Sequence, residues 1–427
     1  MPSESLIQQL EIPLRLHAGQ NLCVGFSGGL DSSVLLHVLA QLAPVCGFSV
    51  SAVHVHHGLS PNADMWAEHC AQVAQALGVS LHVQRVQVAL DGEGLEAAAR
   101  AARHAVFGQQ LCDWIVLAHH RGDQAETVLH RLMRGTGVHG VGAMRARDEE
   151  RRLLRPLLDV SRAELEQYAQ AHALQWIEDE SNADTALTRN FLRREVLPRW
   201  SARLPALEAN LARAAGLFAE GAVLLDELAA ADAQHVAPGE AASLLRLRAL
   251  SAPRARNLLR HLLARDGALP PEADHLGEVL RQLCEAQDGV RHVLGAQALC
   301  AWRERFWLEA ATPVAPVAQV WQGEAALPWG VGVVRFEQGS GPAALRIVPG
   351  EVRLAPRAGG ERLRPQAEGP SRAFKQLAQE ADVPPWQRDG LPCLWQGDEL
   401  VWIGRLGVAA AHCCAPGEQG WMVSWQV

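Results

Sequence analysis

The sequence predicts an α/β chain: a doubly wound parallel sheet, then a helical domain, then a small α+β C-terminal domain. Three observations carry this. From residue 20 to 133, short apolar runs alternate with amphipathic ones. That is the βαβα order of a parallel sheet with helices on both faces. Polar clusters follow directly on the apolar runs at Ser27–Ser32, His54–Gly58 and His119–Asp123. These are carboxyl ends of strands, where such sheets bind their ligands. Beyond residue 205 the chain turns rich in Leu, Ala and Arg and reads as helix to about 310.

Taken in order, Leu22–Phe26 is a short apolar strand bounded by Gly19 and by Ser27-Gly28-Gly29. Ser33–Leu42 is a helix with Val34, Leu35, Val38, Leu39 and Leu42 inward. Phe48–Val55 is the second strand, and Ala63–Leu77 a helix with Trp66, Cys70, Val73, Ala74 and Leu77 on one face. A strand over Leu81–Val88, an Ala-rich helix over Gly94–Leu111, a buried strand over Trp114–Ala118 and a helix over Asp123–Met133 complete the alternation. Ala311–Val317 reads as a Pro/Ala/Val linker. The tail carries short strands at Val331–Glu337, Leu345–Val348 and Leu400–Gly404, and one helix near Arg372–Glu380. The domain boundaries expected are 1–205, 206–312, a linker with short strands over 313–350, and 351–427.

The 427 residues are enough for two or three domains, and 48% hydrophobic content is ample for packed cores. No apolar run reaches the roughly 18 residues a membrane helix needs, and the first residues lack a signal-peptide pattern. The nine cysteines include no Cys-x-x-Cys, and Cys413-Cys414 are vicinal. Reduced thiols in a cytoplasmic protein are the expectation. The net charge is −8, and Lys375 is the sole lysine. A Walker-type loop, which needs Gly-x-x-x-x-Gly-Lys-Ser/Thr, is excluded. Phosphates must be met by backbone N–H groups, a metal ion or arginine.

Ser27-Gly-Gly-Leu-Asp-Ser32 lies between strand and helix. Its glycines let backbone come close to a ligand, and a helix start favours an anion. Asp31 adds a carboxylate able to hold Mg²⁺ beside phosphates. His54-Val-His-His57 suggests a metal at first sight, but no acidic or cysteine partner has ligand spacing, so pocket lining or packing is preferred. Asp123 and Glu126 sit three apart in a first helical turn and share a face. Alone they read as a charged helix start; at the ligand edge of the sheet they read as a site for Mg²⁺ or an ammonium group. Arg134-Gly-Thr-Gly137 is a lid or a connection, and Glu96, Arg100 and Arg103 form a helical stripe. Between 185 and 205 five arginines (189, 193, 194, 199, 203) face one acid, Glu195. Further stripes run through Arg246–Arg265 and Arg353–Lys375. Three basic stripes in an acidic chain point to RNA contact.

Together these runs resemble the tRNA(Ile)-lysidine synthetases of the ATP pyrophosphatase (PP-loop) superfamily. The loop at 27–32 is superfamily-wide. His54-Val-His-His-Gly-Leu59, Gly94-Leu-Glu-Ala-Ala-Ala-Arg100, Ala118-His-His120, Asp123-Gln-Ala-Glu-Thr127, Arg134-Gly-Thr-Gly137 and Arg155-Pro-Leu-Leu158 also match, and the run from Glu178-Asp-Glu-Ser-Asn182 to Arg189-Asn-Phe-Leu-Arg193 is far more specific. The resemblance covers most of residues 20–200; beyond 206 it weakens to layout, with a familial run at Val383–Pro392. It implies adenylation of C2 of the wobble cytidine of a CAU-anticodon isoleucine tRNA by ATP, then attack by free L-lysine. It places the ATP phosphates on Ser27, Gly28, Gly29, Leu30, Asp31 and Ser32, Mg²⁺ at Asp31, lysine near Asp123, Glu126 and Arg189, and His119 beside the transfer. It allows a homodimer.

One position departs from the pattern: Gly122 stands where an acidic or amide residue is common. The rivals are a tRNA base thiolase of the same superfamily, with Cys70 and Cys112 as its only candidates for sulfur carriage, and a non-catalytic ATP- and tRNA-binding protein. The missing Cys-x-x-Cys opposes the first, and Asp31, Asp123 and Glu126 oppose the second.

Overall fold

The structure, a computed structural model, describes residues 2–88, 95–178, 188–239, 241–269, 271–285 and 289–426. Gly94, the Glu96 side chain, Pro270 and the run Asp179–Asp184 with Asn182 lie outside the described residues. The chain forms two compact units, 1–225 and 226–427.

The first unit holds a six-stranded sheet. Its strands are β1 (Asn21–Gly25), β2 (Ser49–His56), β3 (Ser80–Arg85), β4 (Trp114–Val116), β5 (Arg147–Asp148) and β6 (Leu153–Leu154). The order is β3-β2-β1-β4-β6-β5, parallel throughout except for β5 at the edge. Chain direction across the sheet reverses between β1 and β4, which opens a crevice beyond their carboxyl ends. Those two ends carry Ser27–Ser32 and His119–Asp123.

Strand alternation assigns the sheet's two faces. On one, Leu22, Val24 and Phe26 pack with α1 (Pro2–Arg15), α2 (Leu30–Cys46) and, further along the chain, the helix Arg162–Ala171. On the other, Cys23, Val53, Ile115, Leu117 and Leu153 pack with Val106 and Phe107 of the helix Leu95–Gly108. In chain order the remaining helices make these α3 (Ala63–Ala76), α4 (Leu95–Gly108), α5 (Arg121–Met133), α6 (Val138–Val141), α7 (Arg162–Ala171), α8 (Thr188–Phe191), α9 (Leu197–Ser201) and α10 (Leu207–Val236). A π-helical turn, Leu192–Val196, joins α8 to α9. The glycine-rich run after α5 is a packed connection. Arg131 donates to the Gly140 and Ala143 carbonyls, and a Cβ on Gly142 would lie 3.1 Å from the Ala219 backbone of α10.

In the second unit the expectation of helix throughout 206–310 does not hold. Helices Leu244–Ala249, Ala252–Arg265 and Ala273–Glu285 are followed by strands Val290–Leu294, Gln297–Trp302 and Arg305–Ala310. With Ala242–Ser243 these make a four-stranded antiparallel sheet. The strands cover the apolar side of the helices: Leu299, Ala301 and Phe306 share a core with Leu258, Leu262 and Leu276. Tight turns at Gly295 and at Arg303, both at positive φ, close the hairpins. The stretch 313–350 does contain short strands, but they are built into the C-terminal body. Gln319–Trp321 pairs with Val352–Ala355, and Gly332–Ser340 pairs along its length with Gln419–Gln426. Trp321 stacks on Phe336 at 4.5 Å in the shared core. Leu345 makes single bridges to Cys413 and Trp421 rather than a strand.

Asp382, at φ +59, ties the two sheets' surroundings together. Its carboxylate accepts from Trp302 Nε1 at 2.7 Å and pairs with Arg303 at 2.8 Å and with Arg305.

Candidate active site

The loop after β1 is shaped by Gly28 at φ +84. A Cβ there would also fall 2.7 Å from Ile177 Cδ1 and 2.9 Å from Cys70 Sγ, so only glycine fits. Gly29 is the N-cap of α2 and makes no side-chain cap, while Leu30 anchors the first turn in the core. Ser27 Oγ lies 3.0 Å from Ser32 Oγ and accepts the Gly29 N–H at 3.4 Å; the Ser32 hydroxyl donates to the Gly29 carbonyl at 3.0 Å. The predicted phosphate loop is thus one compact turn on the positive end of a helix of 17 residues. His54 secures it from behind. Its Nδ1 lies 2.9 Å from the Phe26 carbonyl, which assigns the proton to that nitrogen. Burial lowers its pKa, which keeps the ring neutral. His56 instead reaches Asp64 at 3.1 Å.

Asp31, in the first turn of α2, is held by Arg162 of α7, whose Nη1 donates to Oδ1 at 2.9 Å and Oδ2 at 3.0 Å. Burial raises the Asp31 pKa against the pull of His120 and Arg162. His120 caps α5: its Nδ1 accepts the Gly122 N–H at 2.9 Å, and the His120 N–H donates to Asp123 Oδ2 at 3.0 Å. Nδ1 being an acceptor, the neutral ring carries its proton on Nε2. That atom stands 3.6 Å from Asp123 and 3.9 Å from Asp31. Gly122 is what makes room for this ring, since a Cβ there would fall 2.7 Å from His120 Cε1.

Asp123 and Glu126 meet as their spacing predicts, and one arginine bridges them. Arg193 Nη2 donates to Asp123 Oδ1 at 2.7 Å and to Glu126 Oε2 at 2.9 Å, and its Nε to Glu126 Oε1 at 2.6 Å. The π-helical turn carries Arg193; such turns are frequent at functional sites. Burial raises the Glu126 pKa although Arg193 opposes it. For Asp123 burial is outweighed by His120 and Arg193, and the pKa is lowered. Arg189 sits one turn earlier, in α8, where its charge acts on Arg131. His119 points to the other face of the sheet. Burial first, then Arg155, Arg100 and Arg103, bring its pKa to about 4 despite Asp123.

The sequence reading missed three contacts: Arg162 on Asp31, His120 between Asp31 and Asp123, and Arg193 across Asp123 and Glu126. Arg193 and His120 stood inside the quoted runs; Arg162 lies 131 positions from Asp31 with no local signal. Of the basic stripes, Arg254, Arg265, Arg357 and Arg372 are ion-paired within the chain. Cys70 is buried, with its thiol pushed up to about 12 by burial, which makes it a poor sulfur carrier.

Asp31 and Asp123 offer hard oxygen donors that converge near the phosphate loop. Mg²⁺ is usually bound by one or two carboxylates plus substrate phosphates, so this donor set fits it. Asp31 would hold the ion once Arg162 lets go, and the ion would supply charge neutralisation at the phosphates.

A profile described as a PP-loop domain matches residues 2–200, a TilS substrate binding domain matches 243–308, and a TilS substrate C-terminal domain matches 352–425. The tRNA(Ile)-lysidine synthase of Azoarcus sp. (strain BH72) is 50% identical over 95% of this chain and 91% of its own length. Those of Aromatoleum aromaticum and Pseudomonas aeruginosa are 48% and 42% identical, over 95% and 100% of this chain and 97% of their own lengths. With the phosphate loop, the His120-capped helix and the carboxylate pair set on one sheet edge, and with similarity running through both units, the chain belongs to the tRNA(Ile)-lysidine synthase family.

Proposed function

We propose that the chain is an ATP-dependent ligase that adenylates C2 of the wobble cytidine of tRNA(Ile) with a CAU anticodon and then joins free L-lysine to that carbon. The product is lysidine, which changes the codon read from AUG to AUA and the amino-acid identity from Met to Ile. The observation that carries this reading is the pair of Asp123, half-buried, and Glu126, buried, within one helix turn, beside Asp31 at the nucleotide loop.

In the first step the cytidine O2 attacks the α-phosphate of ATP and pyrophosphate leaves. Ser27–Ser32 and the N-terminus of α2 hold the phosphates, with Mg²⁺ at Asp31. In the second step the lysine amine attacks C2, and AMP leaves with the oxygen. Asp123 and Glu126 hold the ammonium group, taking the place of the Arg193 guanidinium, and Arg189 serves the substrate carboxylate. The amine must lose a proton to attack. Burial favours the neutral amine and also raises Glu126, which makes Glu126 the nearby acceptor. His119, expected beside the transfer, stands at the same strand end but on the opposite face of the sheet.

Residues 1–205 are assigned the chemistry, 206–312 substrate binding and 351–427 tRNA contact, where Arg353, Arg364 and Lys375 are exposed. No helix among the described residues is long and apolar enough to cross a membrane, in keeping with action in the cytoplasm on tRNA.

Purified protein should incorporate labelled lysine into tRNA(Ile) with a CAU anticodon, only with ATP, and not into methionine tRNA. Release of AMP with a sulfur donor in place of lysine would establish the thiolase reading instead.

A further inference from the structure

The tandem histidines at 119 and 120 serve opposite faces of the sheet. Ile115 and Leu117 face the α4 side, so strand alternation sends His119 there too. On the neighbouring β6, Leu153 faces the same side, and Arg155 follows it by two. The strands are in register, with Ile115 beside Leu153, Val116 beside Leu154 and the Leu117 N–H donating to the Leu154 carbonyl at 2.8 Å, which sets Arg155 beside Leu117, two residues before His119 on the same face. His120 meanwhile joins Asp31 near the nucleotide loop and α2.

Arg155 is only 7% exposed. Its backbone N–H and its Nη1 reach the Ala146 and Arg145 carbonyls, each at 2.8 Å. Its Nε is buried with no hydrogen-bond partner, and so is Nδ1 of His119. Buried cations are ordinarily paired, and a buried donor without a partner costs free energy. Two such nitrogens on the same face of neighbouring strand ends call for an acceptor from outside the chain. Arg100 and Arg103, both on α4, add positive charge that acts on Arg155 and His119, Arg103 on His119 alone. Two acids act on the group, Asp148 on Arg155 and Asp123 on His119.

We propose that Arg155, His119, Arg100 and Arg103 form a second anion pocket, on the sheet face opposite the nucleotide loop, that binds a phosphate group. Given the ligase reading, on which the identity of the ligand rests, two phosphates are in reach. One is a phosphodiester of the RNA strand beside the reacting cytidine; the other is the departing pyrophosphate. A guanidinium fork suits either. The pocket and the loop then approach the same strand ends from two sides, with His119 and His120 as the partition.

The test uses the full chain with Arg103→Ala, at an exposed position, and Arg155→Met. Two quantities are read: the Kd for tRNA(Ile) with a CAU anticodon as a function of salt, and the inhibition constant of added sodium pyrophosphate against adenylation. Thermal unfolding checks that each variant is folded. If the phosphate is the RNA's, the tRNA Kd rises roughly tenfold and the log–log salt slope shrinks by about one. If it is pyrophosphate, that inhibition constant rises roughly tenfold while the tRNA Kd holds. Folded Arg103→Ala protein with both constants unchanged overturns the pocket. A wild-type chain that binds tRNA normally yet transfers no lysine overturns the ligase reading alone.

Discussion

Arg193 grips Glu126 fork to fork, with two hydrogen bonds of 2.6 and 2.9 Å, and reaches Asp123 with the same nitrogen that makes the second. A guanidinium therefore sits where the proposed reaction puts the lysine ammonium. Arg193→Ala leaves the buried Glu126 and the half-buried Asp123 without their cation. Breaking a buried pair costs about 3–5 kcal/mol; with the Arg193 side chain 43% exposed, about 1–3 kcal/mol is expected here. Differential scanning calorimetry should show the melting temperature lowered by several degrees. Glu126→Gln keeps an acceptor for Arg193, so it should stay folded and adenylate tRNA while transferring lysine at least about tenfold more slowly. Equal loss in both steps would remove Glu126 from lysine binding.

Asp31 is held by Arg162, and in the proposed reaction Mg²⁺ would compete with that guanidinium for it. Asp31→Ala should reduce adenylation by at least about a hundredfold, since backbone N–H groups do not replace a carboxylate at a metal. Arg162→Ala should lower the Mg²⁺ concentration giving half-maximal activity, because the carboxylate is released beforehand. A Mg²⁺ titration at fixed ATP reads both, and a raised requirement in Arg162→Ala would show that Arg162 orients Asp31 rather than competes for it.

Gly122→Ala puts a methyl group into the His120 ring. The ring must swing away from the α5 N-terminus, losing a cap worth about 1 kcal/mol and removing Nε2 from between Asp31 and Asp123. Chemical denaturation should show that loss, and the adenylation rate should fall with KM for lysine little changed.

His119 sets an acid limit on stability. Its pKa is about 4 in the folded chain because burial disfavours the charged ring, against about 6.5 when unfolded. Between these values the unfolded chain binds more protons, so stability falls as pH drops from about 6.5 toward 4 and is fully present above that window. The loss reaches roughly 3 kcal/mol at most. The unfolding free energy of His119→Gln should depend less steeply on pH in this window than that of the wild type. Parallel curves would assign the acid limit to other buried histidines such as His54 and His57, which burial also depresses.

Much of the catalytic unit was legible because period and position agreed. The strands β1, β2 and β4 each led into a polar cluster, and the switch between β1 and β4 brought two of those clusters together. Helix spacing alone placed Asp123 beside Glu126. What local pattern could not supply was long-range partnership, such as Arg162 with Asp31, or Arg193 of the π-helical turn with Asp123 and Glu126. α1 went unread although Leu6, Leu10 and Leu14 repeat every fourth residue and are buried; Pro13 inside it masked the pattern. The strands at 290–310 were hidden because Val290–Leu294 and Gln297–Trp302 mix polar and apolar residues without clean alternation, and tertiary pairing decided their form.

Asp382 has a mechanical consequence. Through Trp302, Arg303 and Arg305 it fastens the 290–310 hairpins to the body that begins at Gln319, and Gln387 adds a 3.0 Å bond to Glu309. The peptide between them, Ala311–Val317, is then a slack tether beside a bolt. Limited proteolysis within it should yield two fragments that still migrate together in native gels, and Asp382→Ala should let them part.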